Sequence, residues 1–243
     1  TGDLDGLARD AEAARREKLT DGALALVRTN EAARLTALGR KDEALAVARE
    51  AVALAEKAQA WSTLGNARLT EAMALVNLDR ADEASEAATR AGEDFSRGKN
   101  RVGAVRCDGL RATVLWQSGR VAEAEQLFRS KLLEANSEQL RLPMEELSTG
   151  LSSVLVALGR WPEARAALAD ALRICLEDAR PLNAALGMAN LAQLDALMGS
   201  LREARVEARR GKRLCREHFP GRTFLTYRAW ATVLRVSGSW PTA

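Results

Sequence analysis

The stretch "ALGRWPEARAAL" at residues 157–168 ends one helix-like apolar run with Gly-Arg and begins another with Pro-Glu-Ala. Close variants occur as "ALGRKDEALAVA" from residue 37 and "QSGRVAEAEQLF" from residue 117. Glycine after an apolar-periodic run tolerates the left-handed conformation that ends a helix. Proline and glutamate both suit the first turn of a helix. The stretch therefore predicts that one helix ends and another begins.

This boundary recurs at an almost constant spacing along the whole chain. The boundary residues are Gly39, Asp79, Gly119, Gly159, Gly199 and Gly238, which are separated by 40, 40, 40, 40 and 39 residues. An alanine follows each of them by five residues, and glutamate precedes that alanine in five of the six copies. A fixed period of this kind is typical of a repeat array.

Each period predicts two antiparallel helices, helix A before the boundary residue and helix B after it. Helices A are expected near 22–38, 61–78, 101–118, 143–158, 181–198 and 221–237, and helices B near 41–57, 81–97, 121–136, 161–178 and 201–218. Residues 4–18 resemble a single helix B without its partner. We thus expect one repeat domain over 1–243, taken from a longer protein. Its parts would be an orphan helix in 1–20, repeats at about 21–58, 59–98, 99–138, 139–179 and 180–218, and an incomplete repeat at 219–243.

The composition agrees with an all-α protein that contains no membrane segment. The chain has 47% hydrophobic and 28% charged residues, and few stretches alternate with a period of two. No run approaches 18 uncharged apolar residues, and the N-terminal stretch is polar, so neither a membrane span nor a signal peptide is expected. Three widely spaced cysteines, Cys107, Cys175 and Cys215, indicate free thiols and a cytoplasmic protein.

The repeat resembles the tetratricopeptide repeat. Its shared features are a small residue seven positions before the boundary, the glycine itself, Glu-Ala opening helix B, and a small residue seven positions after that alanine. Lys131 departs from the last feature. A 40-residue period is similar to the long variant in kinesin light chains and bacterial signalling proteins, including LuxR-type ATP-binding regulators and CHAT-protease proteins. The resemblance implies a right-handed superhelix of antiparallel helix pairs with helices A on its concave face.

The resemblance also implies which side chains face inward, namely those 13, 10, 6, 3 and 2 residues before each boundary. This register gives Asn66, Met73, Asn77, Arg106, Thr113, Trp116, Gln117, Glu146, Thr149, Ser153, Gln193, Arg228, Thr232 and Arg235. Amides and hydroxyls can bind a peptide backbone, and Trp116 offers an apolar anchor. The alternative is that these residues are simply the solvated positions of the array.

Two further features each leave two interpretations open. Asp195 stands where the other repeats have leucine; it could contact a bound group or a neighbour, but a local rotation that leaves it partly wet is favoured. The basic run "RVEARRGKRLCREHFPGR" (205–222) places Arg205, Arg209, Arg213 and Arg216 on one helical face. That face could bind nucleic acid or an acidic partner, although a solvated outer surface is favoured.

No catalytic, cofactor or metal site is expected, because the sole histidine, His218, lies near no cysteine or carboxylate constellation. We therefore expect a non-enzymatic scaffold, the repeat module of a larger bacterial signalling or regulatory protein. Its partner would be a protein or peptide segment, or another domain of the same protein. The alternative is a sensor arm that binds a small effector and couples it to an attached ATPase or DNA-binding domain. Nucleic acid is a less favoured partner, and a membrane is not expected.

Overall fold

The computed structural model describes residues 20–219 and 224–236, with side chains left out at 224–225 and 227–230, and shows eleven helices and no strand in that part. The helices are α1 (Asp21–Ala37), α2 (Lys41–Lys57), α3 (Trp61–Asn77), α4 (Ala81–Arg97), α5 (Arg101–Gln117), α6 (Val121–Ser137), α7 (Arg141–Ala157), α8 (Trp161–Glu177), α9 (Pro181–Leu197), α10 (Leu201–His218) and α11 (Phe224–Val236). The predicted fold class, an all-α array of consecutive helix pairs, is confirmed.

For α1 to α10, the predicted helix boundaries agree with the structure to within two residues. The clearest difference is α7, which begins at Arg141, two residues before the predicted start at Pro143. The first four N–H groups of a helix have no partner within it, so proline in the first turn removes no hydrogen bond. The expected helix at 4–18 and the boundary at Gly238 lie outside the described residues.

The helices fall into two compact units, Thr1–Lys131 and Leu132–Ala243, which divide inside α6. In the first unit the helices A are α1, α3 and α5; α1 contacts α3, and α3 contacts α5. In the second unit the helices A are α7, α9 and α11, and α9 contacts α11. Helices B pack against them in both units. The continuous single domain over 1–243 stays a prediction.

Every boundary from α1 to α10 has the same hydrogen-bonded turn. At the first, Gly39 donates its N–H to Thr36 O and Arg40 donates to Leu35 O, both at 3.0 Å. This pattern is the Schellman motif, which requires a left-handed residue after the helix. Gly39, Gly119, Gly159 and Gly199 adopt φ of 71° to 84°, and Asp79 adopts 58°. The predicted role of these boundary residues is therefore confirmed for the described part of the chain.

The turns from helix B to the next helix A use the same motif without glycine. The left-handed residues there are Gln59, Lys99, Gln139 and Ala179, with φ of 50° to 54°. A side chain in this region costs roughly 1–2 kcal/mol in backbone energy. The sequence does not predict that these residues are left-handed, because none of them is glycine.

An arginine–glutamate pair closes the start of four helices B. Arg40 donates from Nε and Nη2 to the two carboxylate oxygens of Glu43 at 2.5–2.6 Å. The same bidentate pair recurs at Arg80–Glu83, Arg120–Glu123 and Arg160–Glu163. The guanidinium lowers the pKa of Glu43, Glu83 and Glu123. Because the pairs are exposed they add little stability, but they hold the first turn in one geometry.

Small residues allow helices A and B to approach closely. Those seven positions before the boundary, Ala32, Ala72, Ala112, Ser152 and Ala192, are all buried. Those on helices B, Ala51, Ala91, Ala171 and Gly211, are buried too. At the equivalent position Lys131 is only half-buried, and its ammonium lies 2.9 Å from the Asp108 carboxylate of α5. The division between the two units falls directly after this residue.

The ring of Phe95 in α4 fills a slot between α3 and α5. It is 1% exposed, whereas the equivalent residues of other helices B are alanine or cysteine. A Cβ at Gly65 would lie 2.8 Å from the ring carbons, and one at Gly103 would lie 2.5 Å away. Only glycine fits on either side, so these two glycines offset the extra volume of the phenyl ring.

The interpretation favoured for Asp195, a rotation that leaves the carboxylate partly wet, is wrong. Asp195 is fully buried. Arg165 of α8 donates from Nε to Oδ1 at 2.6 Å and from Nη2 to Oδ2 at 3.3 Å. This bidentate pairing offsets the cost of burying the charge. The residue thus contacts a neighbouring helix, as the other interpretation allowed.

The three cysteines are free and buried. Burial raises the pKa of the Cys107 thiol to about 12 and that of Cys175 to about 11. Both thiols are therefore protonated near neutral pH, and a protonated thiol is a poor nucleophile.

Replacing a left-handed alanine by glycine should stabilise the protein. We expect Ala179→Gly to raise the free energy of unfolding by about 0.5–1 kcal/mol, because it removes the Cβ strain. Gly159→Ala, at φ 71° with no atom closer than 3.9 Å to the new Cβ, should lower it by a similar amount. Urea denaturation followed by circular dichroism measures both. An unchanged or lower midpoint for Ala179→Gly would contradict the assignment.

The Phe95 slot predicts a coupling between two residues. Gly103→Ala should lower the free energy of unfolding by about 1–3 kcal/mol, since the new methyl group overlaps the ring. In a Phe95→Leu background the same change should cost at least about 1 kcal/mol less. The matched control is Gly92→Ala, whose Cβ would meet only ordinary contact at 3.6 Å and should stabilise α4. Equal costs of Gly103→Ala in the two backgrounds would refute the slot.

Candidate functional site

The predicted inward residues of the first unit form two neighbouring rows, which we call the first stripe. Its members are Asn66, Met73 and Asn77 on α3, and Arg106, Thr113, Trp116 and Gln117 on α5. All of them are exposed or half-buried. Because α3 contacts α5 directly, the two rows lie side by side. These residues are accessible on two helices that contact each other, and their shared binding surface stays a prediction.

The first stripe offers hydrogen-bonding groups around two larger apolar side chains. Met73 is 44% exposed, and Trp116 is half-buried near the end of α5. Thr113 donates its hydroxyl to Gly109 O at 3.1 Å, so its oxygen keeps lone pairs that can accept. Asn77 and Gln117 are the last residues of their helices and carry exposed amides. This chemistry can bind both the backbone and an apolar side chain of a peptide.

The predicted residues of the second unit are Glu146, Thr149 and Ser153 on α7, Gln193 on α9, and Thr232 and Arg235 on α11. None of them is buried. Thr149 donates to Glu145 O at 3.0 Å, and Ser153 donates weakly to Thr149 O at 3.5 Å. The side chain of Arg228 lies outside the described residues. We call this set the second stripe.

The same register includes exposed aliphatic residues that the sequence interpretation left out. Leu26 on α1 and Leu197 on α9, which stand 13 and 2 residues before their boundary glycines, are each 49% exposed. The predicted inward residues start at the second repeat and are mainly polar. Applying the register to the first repeat and retaining leucine would have found both, so the stripes are more apolar than expected.

On the opposite side of α3, ion pairs bridge a groove between α2 and α4. Arg49 of α2 donates from Nε to Glu71 of α3 at 3.0 Å, and its Nη2 lies 3.5 Å from Glu83 of α4. Arg68 bonds to Glu56 of α2 and, at 2.5 Å, to Asp94 of α4. The remaining cavity measures about 290 Å³. The arginines of the groove are thus paired mostly with carboxylates of the same groove.

Asp94 is the buried member of this network of ion pairs. Its carboxylate is fully buried, and burial raises its pKa although the Arg68 guanidinium opposes the shift. Oδ1 has no hydrogen-bond partner among the described residues, and Arg97 lies 3.9 Å away. Removing Arg68 would leave a buried charge nearly unpaired, so this pair links α3 and α4 rather than forming an open site.

The basic run on α10 is exposed to solvent in the described part of the chain, and both of its interpretations stay open. Arg205, Arg209, Arg213 and Arg216 are all exposed. Carboxylates lie among them; Arg210, for example, donates to Glu207 at 2.9 Å. Within the described part of the chain, no group of three metal-ligating side chains converges. No described helix combines the length and apolarity needed to cross a membrane.

Comparison with known protein families gives one match, to the tetratricopeptide repeat. The sequence profile of the tetratricopeptide repeat matches residues 24–58, which cover most of α1 and all of α2. Among curated protein sequences, none is significantly similar to the chain.

Three solved structures share the fold. BtubC (BKLC) from P. vanneervenii is 18% identical with a TM-score of 0.61, over 87% of this chain and 89% of BtubC. The Rap conjugation gene regulator of plasmid pLS20, in complex with the Phr* peptide, is 15% identical with a TM-score of 0.75, over 90% of this chain and 59% of the regulator. NprR in complex with its cognate peptide NprX is 17% identical with a TM-score of 0.73, over 98% of this chain and 69% of NprR.

The matched profile covers one helix pair, and α3 to α10 repeat the geometry of that pair at the same 40-residue interval. The recurring left-handed turn and the buried small residues are the features from which the resemblance was inferred. Residues 24–58 therefore match the tetratricopeptide repeat, and the helix pairs from α3 to α10 have the same architecture with a 40-residue period.

Proposed function

We propose that the chain is a non-enzymatic scaffold that binds a peptide or an extended protein segment on the first stripe. The observation that carries this proposal is the accessibility of the stripe: amides, a threonine hydroxyl, Met73 and Trp116 lie on neighbouring helices. On the other side of the same helix, charged groups are engaged with one another. A ligand that needs both hydrogen bonds and an apolar anchor is better served by the stripe.

The solved structures support this proposal through their ligands. The Rap regulator and NprR, which share the fold at TM-scores above 0.7, are each seen in complex with a peptide. Their low identity to this chain transfers the fold alone, so the peptide class is argued from the stripe itself. The second stripe, with its hydroxyl-bearing α7, is proposed to act as a similar surface in the second unit.

We also propose that the chain works as the repeat module of a larger regulatory protein in the cytoplasm. The chain spans only 59% of the Rap regulator and 69% of NprR. In such a protein the bound segment could equally belong to another domain of the same chain. The three free thiols suit a reducing compartment.

The first stripe predicts a specific loss of peptide affinity. Peptides would be selected from a phage-displayed 12-residue random library against the purified chain, and their affinities measured by isothermal titration calorimetry. Trp116→Ala should weaken the selected peptides by about 2 kcal/mol, roughly thirtyfold, because it removes the main apolar anchor. Asn77→Ala should weaken them by about 1 kcal/mol.

Trp61→Ala is the matched control. Trp61 is 39% exposed but lies at the start of α3, next to Arg97 and away from the stripe. It should leave affinity unchanged, and circular dichroism should show native helix content for all three variants. Failure to select any peptide would contradict the proposal, as would equal losses for Trp116→Ala and Trp61→Ala.

A further inference from the structure

The second unit contains an open apolar groove between its two helices B. It lies between α8 and α10 with α9 below it and has a cavity of about 330 Å³. We call it the α8–α10 groove. Its apolar lining is Ala169, Leu172 and Leu176 from α8 and Leu191 from α9, and its rim carries Arg165, Arg173, Glu177 and Glu207. Leu176 is 46% exposed.

The groove between α2 and α4 occupies the equivalent place in the first unit, 120 residues earlier in the chain. There the positions of Ala169, Leu176 and Leu191 hold Arg49, Glu56 and Glu71.

Those charged residues join the walls of the first groove: Arg49 bonds to Glu71, and Glu56 bonds to Arg68. The same fold position is therefore bridged by ion pairs in one unit and lined mainly by apolar side chains in the other, although the two cavities are similar in volume. Leu172 and Leu191 are already buried in the apolar version, at 8% and 5% exposure, so Leu176 is the lining leucine that a ligand would remove from water.

The charged rim of the α8–α10 groove is already paired within the chain. Glu177 accepts hydrogen bonds from Arg141 and Arg173, and Glu207 accepts one from Arg210. Arg165 donates to the buried Asp195. The rim therefore adds little net charge of its own, and the electrostatic preference of the groove is set by the wall formed by α10.

That wall is strongly positive. The sequence of α10 contains seven arginine and lysine residues and three glutamates, whereas the whole chain has a formal net charge of only +3. Val206, Arg210 and Arg213 follow one another at spacings of four and three, so they share a face of the helix. Val206 is 49% exposed, and the side chains of Arg210 and Arg213 are 47% and 67% exposed. Arg210 donates to Glu207, the α10 residue that lines the groove, so this face adjoins the groove at Arg210; Arg213, one turn further on, lies 4.0 Å from Glu217.

We propose that the α8–α10 groove binds an acidic amphipathic helix of a partner protein. Apolar side chains one turn apart on that helix pack against Leu172 and Leu176, which are themselves one turn apart on α8. Its carboxylates lie towards Arg210 and Arg213. A cavity of about 330 Å³ is at the small end of ligand pockets, which suits a few side chains better than a whole cofactor.

The test uses a fluorescein-labelled synthetic 20-residue helix, stapled on its outer face, with leucines on one stripe and glutamates on the flanks. A second peptide has lysine in place of every glutamate. Fluorescence anisotropy should show that the acidic peptide binds the chain and that the lysine peptide binds at least tenfold more weakly. Arg210→Gln combined with Arg213→Gln should weaken the acidic peptide several-fold, and added salt should do the same.

The decisive variant is Ala169→Arg combined with Leu176→Glu. It installs the residues that the first unit carries at these two exposed positions and leaves the net charge unchanged. It should weaken the acidic peptide at least tenfold. The control Leu133→Glu removes another leucine of the second unit, 72% exposed and outside the groove, and should not weaken it beyond the small effect of its added negative charge.

Three results would overturn the proposal: no binding of the acidic peptide, equal binding of the lysine peptide, or full affinity in the Ala169→Arg/Leu176→Glu variant. Thermal unfolding of the variant checks that its fold is retained. Trp116→Ala should leave this binding unchanged, because Trp116 lies in the other unit. Loss of the groove's ligand and loss of the first stripe's ligand are therefore separate outcomes.

Discussion

The left-handed residue that ends each helix from α1 to α9 is the constraint on which the helix pairs depend. It lets the following residue donate to the carbonyl five positions back, as Arg40 does to Leu35, so the chain reverses within three residues. Arg40, the residue that follows the left-handed Gly39, is also the N-cap of the next helix. With helices of 17 residues and turns of three, the period is 40. Every equivalent side chain therefore returns to the same face.

A fixed register gives each helix A two faces with different tasks. The inward face carries residues that stay accessible, such as Met73 and Asn77. The opposite face meets the helices B, where the repeats differ in chemistry. In the first unit arginines and glutamates bridge the space between helices B, whereas in the second unit that space is lined mainly by apolar side chains. The same arrangement of helices thus carries a charged groove in one unit and an apolar groove in the other. Side chains at these positions can differ because they do not determine how the helices pack.

The two fully buried carboxylates of the described residues, Asp94 and Asp195, are each paired with an arginine. Asp94 with Arg68 and Asp195 with Arg165 each join a helix A to a helix B within one unit. Replacing a leucine position by Asp195 is tolerated only because the arginine of a neighbouring helix reaches it. Lys131, which stands where other repeats have a small buried residue, is paired with Asp108 in a similar manner. The chain divides into two units directly after it.

The sequence by itself determined the helix pairs, their boundaries, the glycine turns and the accessible register of the stripes. These follow from spacing along the chain, which a period of 40 displays directly. Only the tertiary structure decided the pairing of Asp195, the slot for Phe95, the left-handed Gln59 and Ala179, and the contrast between the two grooves. The Asp195 pair, the Phe95 slot and the two grooves depend on which side chains meet across helices, whereas Gln59 and Ala179 are left-handed because the turn requires it without a glycine to mark it. Such contacts are set by packing distance and side-chain reach, for which periodicity carries no signal.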